Sequence, residues 1–248
     1  KGSSPGILEW WNVKSPASPK RAAASNIPND KTIPFDPTSR AHTFQRLGDV
    51  LQSSGRYKLA ISAFQNSFRL YLKSRDSESA LESAHHLGDL FRQEENFSTA
   101  IEWYQKVLVI AKKGGKKHLG SRISDALGGM ALSLRGLFQF KEAVKLLQRV
   151  RSRYQAAGDR EGLAYVLWAL GTTKRFMGDI GEAETNLRES VKIYRHLKDR
   201  TGLAYALCGL GGTLRMKGWA EDSGKCYLAA RGIFLKCKDQ FGLAYSSC

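Results

Sequence analysis

Proline is missing from residue 38 onward: all six prolines lie between Pro5 and Pro37. Proline fixes φ and removes a backbone donor, so its absence leaves the rest of the chain free of the strongest breaker of helices and central strands. Cysteine is scarce too, four residues in 248 with no Cys-x-x-Cys pair. That excludes a disulfide scaffold and a zinc ribbon. Cys208, Cys226, Cys237 and Cys248 read as small packing or surface residues of a reducing compartment, the cytoplasm or another. No charged segment followed by an apolar core marks a signal peptide, and a targeting peptide removed ahead of Lys1 is compatible with this. No apolar run reaches 18 residues, so nothing in the chain reads as a membrane-spanning helix. Acidic residues are few, 23 against 39 Lys and Arg, which leaves a formal charge of +16 and predicts attraction to something acidic. Catalytic patterns are absent as well. His85 and His86 are adjacent and cannot both ligate one metal from a helix. There is no His-x-x-x-His, no Ser/His/Asp order and no phosphate-cradling Gly-Lys-Ser/Thr. These absences predict a protein without enzymatic activity, metal or cofactor.

What is present divides in two. Residues 1–37 carry every proline, with Ser, Ala and Asn between, and read as an extended arm. Within it Ile7-Leu8-Glu9-Trp10-Trp11 puts four large apolar side chains in five residues. Exposed tryptophans are costly in water, so Trp10 and Trp11 are expected to anchor, on the chain's own domain or on a partner.

Residues 38–248 repeat. Leu47-Gly48-Asp49 returns forty residues later as Leu87-Gly88-Asp89, and Gly162-Leu163-Ala164-Tyr165 returns twice at the same spacing, from Gly202 and from Gly242. One interval is 43, and the extra residues fall in the glycine- and lysine-rich stretch Lys112–Lys117. Each unit holds two amphipathic helical patterns: Phe44, Leu47, Gly48 and Leu51 trace one face, and Tyr57, Ala60, Ile61, Phe64, Phe68 and Tyr71 a second. Asp36 before Pro37 is a helix start, and Asp76, Asp159, Asp199 and Asp239 recur at the same place.

These residues resemble the tetratricopeptide repeat family in a long-period form. The first-helix pair is Leu47-Gly48, Leu87-Gly88, Leu170-Gly171 and Leu210-Gly211, with Met130-Ala131 departing. The second helix carries a small residue (Ala60, Ala100, Ala143, Ala183, Ser223) and a large one four later (Phe64, Tyr104, Leu147, Leu187, Tyr227). The period is forty and not 34, and the family's proline is missing. The resemblance implies an all-α fold: a right-handed superhelical solenoid of about five antiparallel helix pairs. Units are expected near 38–76, 77–119, 120–159, 160–199 and 200–239, with a sixth starting at 240–248. A solenoid is normally closed by a polar helix, so continuation past Cys248 is expected.

The resemblance also implies which residues line a concave groove. One ladder reads Gln52, Arg92, Arg135, Arg175, Arg215. Arginine is always charged and its fork suits carboxylates. Each Arg either pairs with a nearby acid or packs its stem, or the ladder recognises an acidic chain. Asp49 and Asp89 serve as partners in the first two units only. Tyr165, Trp168, Tyr205 and Tyr245 stand beside the later arginines, as packing residues or as contacts. Gly128, Gly129, Gly209, Gly211 and Gly212 each weaken a helix, which close packing or room for a deeply laid ligand would offset.

The expected function is a protein–protein scaffold, adaptor or assembly factor holding an acidic or extended protein segment in that groove. An RNA-binding repeat protein using the basic second-helix faces (Lys112, Lys113, Lys116, Lys117, Arg149, Arg151, Arg153) is the alternative. A peptide-sensing regulatory domain is a third.

Overall fold

A computed structural model of the chain describes residues 36–114 and 120–246. Trp10, Trp11, Lys116, Lys117 and Cys248 lie outside them. The described residues form helices and no strand: α1 (Pro37–Ser53), α2 (Tyr57–Lys73), α3 (Ser77–Gln93), α4 (Phe97–Gly114), α5 (Gly120–Gly136), α6 (Phe140–Ala157), α7 (Arg160–Met177), α8 (Ile180–Leu197), α9 (Arg200–Met216), α10 (Ala220–Cys237) and α11 (Gln240–Tyr245). They fall into two compact units, one ending at Gln139 with α1–α5, the other starting at Phe140 with α6–α11. Within each unit every helix packs on the next in sequence. First helices of successive pairs also meet, α3 with α5 in one unit, and α7 with α9 and α9 with α11 in the other. This is the helix-pair stacking that the forty-residue period predicts.

The helix starts follow from aspartate. Asp36 accepts from the amides of Thr38 and Ser39, and Asp76 from that of Ser79. Asp159, Asp199 and Asp239 accept from the amides of Gly162, Gly202 and Gly242 at 2.8, 2.9 and 2.8 Å. Each satisfies an amide that a helix end leaves without a partner. Helix ends are made by one residue in the left-handed region, Gly55 at φ 73° after α1 and Lys198 at φ 58° after α8 among them.

Helix spacing is set by glycine. A Cβ on Gly48 would stand 2.8 Å from the Phe64 ring, and one on Gly88 2.6 Å from Tyr104. One on Gly171 would stand 2.5 Å from Leu187 Cγ. So the first-helix glycine of a pair receives the large residue of its second helix. A second set works between pairs: Gly162, Gly202 and Gly242 lie against the rings of Tyr154, Tyr194 and Phe234. Those aromatics are buried and belong to the preceding second helix. The glycine of the Gly-Leu-Ala-Tyr motif therefore lets the next pair dock, while its amide is held by the capping aspartate. Gly129 and Gly209 also answer to packing, against Tyr104 and Leu187. The choice between close packing and ligand space falls to packing at these positions.

Gly129→Ala should cost about 1–3 kcal/mol, because the new methyl must displace the Tyr104 ring in a filled core. Gly232→Ala, mid-helix in α10 with nothing within 4 Å of the new methyl, should stabilise by about 1 kcal/mol. Urea unfolding of the two variants beside the parent checks both signs.

Candidate functional site

In the α1–α5 unit, α3 brings His85, Asp89 and Arg92 onto one face, and α4 adds Tyr104 from below. The Tyr104 hydroxyl donates to Asp89 Oδ1 at 2.7 Å. Arg92 Nη2 donates to the same oxygen at 3.3 Å, and His85 Nδ1 stands 3.3 Å from Asp89 Oδ2. Burial opposes the Asp89 charge, but the hydrogen bond and charge of His85, then Arg92 and Tyr104, outweigh it and hold the carboxyl far below its ordinary range. Burial likewise opposes the charged imidazole of His85, and the Asp89 hydrogen bond and charge overcome it, raising the His85 pKa. For Tyr104 burial and the neighbouring Asp89 both push the phenol up. Arg92 thus meets the acid expected for it.

The other residues of this face are placed individually. His86 points elsewhere and stacks flat on Phe64, ring centroids 4.6 Å apart. Glu82 pairs with Arg122 of α5 at 3.6 Å. Arg135 is 8% exposed, so its stem and much of its head are packed.

The α6–α11 unit presents a different face. The helix α7 has one acidic residue, Glu161 in its first turn, and α9 has none. Tyr165 and Trp168 lie side by side on α7, ring centroids 5.9 Å apart and both half-buried. Tyr205 donates its hydroxyl to Asp239 Oδ2 at 3.0 Å and meets the rings of Phe234 and Tyr245. Arg215 is exposed at the end of α9. Arg175 has its Nε buried without a hydrogen-bond partner, and its guanidinium lies over the Phe176 ring at 5.1 Å. The same guanidinium covers Gly212 of α9, where Tyr227 of α10 also arrives: a Cβ there would run into Arg175 Nη1 and stand 3.2 Å from the Tyr227 hydroxyl.

In the sequence Tyr104 and Tyr227 are the large second-helix residues of the repeat pattern. Their rings do pack, against Gly88 and Gly211, but their hydroxyls reach the first-helix face. The signal was available: a phenol stands where other units have Phe64, Leu147 and Leu187.

The basic second-helix surface is solvated and partly paired. Arg149 and Arg153 are exposed, and Arg151 lies 4.0 Å from Glu189. Among the described residues no group of three His, Cys, Asp or Glu is placed to hold a metal, and no helix is long and apolar enough to cross a membrane.

The tetratricopeptide repeat family model matches residues 39–113 and 122–196. The chain belongs to the tetratricopeptide repeat family. Solved structures share its fold at low identity. One is BtubC (BKLC) from P. vanneervenii, at 17% identity and TM-score 0.66, covering 82% of this chain and 83% of that one. Another is the Podosopora anserina putative kinesin light chain of nearly identical repeats, at 20% and 0.60, covering 83% and 99%. A third is a Rap protein complexed with competence and sporulation factor, at 14% and 0.75, covering 84% of this chain but 58% of that one. No curated protein sequence matches.

The His85–Asp89 pair makes a pH prediction. The raised His85 pKa contributes stability that is full below its ordinary 6.5 and is lost as pH rises through the raised value. Asp89, lowered from 3.8, contributes stability present above that value and lost in stronger acid. Urea midpoints should therefore fall as pH rises from 6.5 through the raised His85 value. In Asp89→Asn this part of the slope should vanish; an unchanged slope would remove the pair from the account.

Proposed function

We propose that this tetratricopeptide repeat chain is a non-enzymatic interaction scaffold whose first-helix face in the α6–α11 unit binds an acidic or extended segment of another protein. Arg175 and Arg215 supply the charge, and Tyr165, Trp168, Tyr205 and Tyr245 the apolar contacts. Arg92 and Arg135 hold the corresponding positions in the α1–α5 unit. The observation that carries the reading is the composition of α7 and α9: arginine and aromatic side chains, with Glu161 as their single acid. A surface on which basic residues outnumber acidic ones, with aromatic anchors, favours an acidic partner by both steering and packing. Fold relatives include a Rap protein solved with competence and sporulation factor and another with the Phr* peptide, which supports a peptide-sized ligand. A reducing compartment is a setting in which Cys208, Cys226 and Cys237 remain thiols, as they are here. RNA binding through the basic second helices is the competing outcome, and the spread of that charge over solvated faces counts against it.

A displayed peptide library panned on the full chain should enrich Asp- and Glu-containing sequences. Arg175→Glu with Arg215→Glu should weaken the selected peptides at least about tenfold, given roughly 1.4 kcal/mol or more per lost charged contact. Lys112→Ala with Lys113→Ala should leave them nearly unchanged. Purification from cell extract with and without nuclease completes the test. Recovery that depends on nucleic acid and ignores the Arg175/Arg215 reversal would move the function to the second-helix faces.

A further inference from the structure

The outer face of α10 differs from that of the other second helices. Its Leu228 and Leu235 are 71% and 58% exposed. Earlier repeats hold Gln65, Gln105, Gln148 and Arg188 at the place of Leu228, and these too are exposed. The place of Leu235 holds Leu72, Lys112, Gln155 and Arg195, exposed likewise. The exposure thus belongs to the position in every repeat, with or without a pair stacked beyond it. Only α10 is apolar at both places.

Two glycines share that face. Gly224, Leu228, Gly232 and Leu235 recur at spacings of four, four and three, which aligns them along one side of a helix. Gly48, Gly88 and Gly129 each receive a ring, but a Cβ on Gly224 or Gly232 would meet nothing within 4 Å. Each glycine weakens the helix by about 1 kcal/mol relative to Ala, and no contact within the chain offsets this.

The strip is complementary to itself. The first turn of α10 carries Glu221 and Asp222, the last turn Lys236, and Lys238 is the C-cap. An antiparallel second copy sets the acidic end of each helix beside the basic end of the other and opposes the two helix dipoles. A parallel copy would set like charges together. A midpoint at Ala230 then places Leu228 of one copy opposite Gly232 of the other, and Leu235 beside Gly224. Two-fold symmetry makes each of these contacts twice. A large side chain on a glycine is also how the chain joins its own helices, as with Phe64 on Gly48.

We infer that the outer face of α10 is a self-association surface, on which two copies of this chain pack antiparallel about a two-fold axis near Ala230. It uses a second helix and not the first-helix face of the scaffold reading, and it stands or falls independently of that reading. A strip one helix long buries less than the roughly 1,200 Å² at which stable interfaces begin, so the dimer is weak, with Kd on the order of 10–100 µM. The charge of +16 on each copy, and Arg231 exposed beside the axis, act in the same direction.

Sedimentation velocity of the full chain, from about 5 to about 300 µM in roughly 0.15 M salt to screen that charge, is the experiment. The parent should pass from monomer to dimer over this range; a monomer throughout overturns the proposal. Leu228→Gly and Gly232→Leu should each weaken the dimer at least about tenfold, since symmetry counts every change twice. Both positions are open to solvent, so the fold tolerates the changes. Combining the two exchanges the large residue and the glycine within one reciprocal contact, and should restore Kd to within about threefold of the parent. Failure to recover, or a dimer indifferent to Leu228→Gly, overturns the pairing. Gly232→Ala should weaken the dimer about threefold even though it stabilises the fold at concentrations below Kd. Trp10→Ala with Trp11→Ala should dimerise as the parent does; loss of the dimer there would give the face to the arm and overturn the self-docking. Arg175→Glu with Arg215→Glu should leave the dimer unchanged, and loss of the dimer in that variant would place the contact elsewhere and overturn it too.

Discussion

The fold depends on one interaction, a large side chain lying where a glycine has no Cβ. Phe64 on Gly48, Tyr104 on Gly88 and Leu187 on Gly171 close the helix pairs. Tyr154 on Gly162, Tyr194 on Gly202 and Phe234 on Gly242 then dock each pair onto the next. Tyr104 is shared by Gly88 and Gly129, so one ring joins three helices. A helix pair cannot bury its apolar stripe alone, and the stack completes its core only if backbones approach to this distance. The glycines weaken each helix by about 1 kcal/mol, and the dispersion contacts of a buried ring offset that cost.

The same interaction positions the polar chemistry. Because a glycine holds the Tyr104 ring flat against α3, its hydroxyl emerges on the first-helix face beside Asp89 and Arg92. In the α1–α5 unit this produces an internally neutralised cluster, with His85 and Asp89 each shifting the other. In the α6–α11 unit the equivalent phenol, Tyr227, arrives with the Arg175 guanidinium at Gly212. The position after the packing glycine is Asp89 in the second repeat and Gly212 in the fifth, where Arg175 covers it.

Relatives that share the fold at 14–20% identity illustrate why this division is possible. Packing asks for small and large residues at fixed offsets and is indifferent to what the outward positions carry. Those outward positions are free to vary, so repeat number and helix geometry say little about the ligand, and the identities at three or four side chains say most of it.

Much of the fold was legible in the residues. The forty-residue period, the aspartates at 36, 76, 159, 199 and 239, and the Leu-Gly and Gly-Leu-Ala-Tyr signatures determined by themselves that helices form, where they start and which faces they bury. These are local facts: a cap or an amphipathic stripe needs neighbours within a few residues, and sequence spacing reports them directly. The site was legible only as a set of candidates, because Arg92, Arg135, Arg175 and Arg215 occupy one repeat position and look alike in the chain. The sequence already offered Asp89 to Arg92, and the structure makes that pair; only tertiary structure decided that Arg135 is packed away and that Arg175 crosses from α7 to cover Gly212 of α9. Those outcomes depend on distances between side chains of different helices, and such distances are set by how deeply each ring sinks onto its glycine.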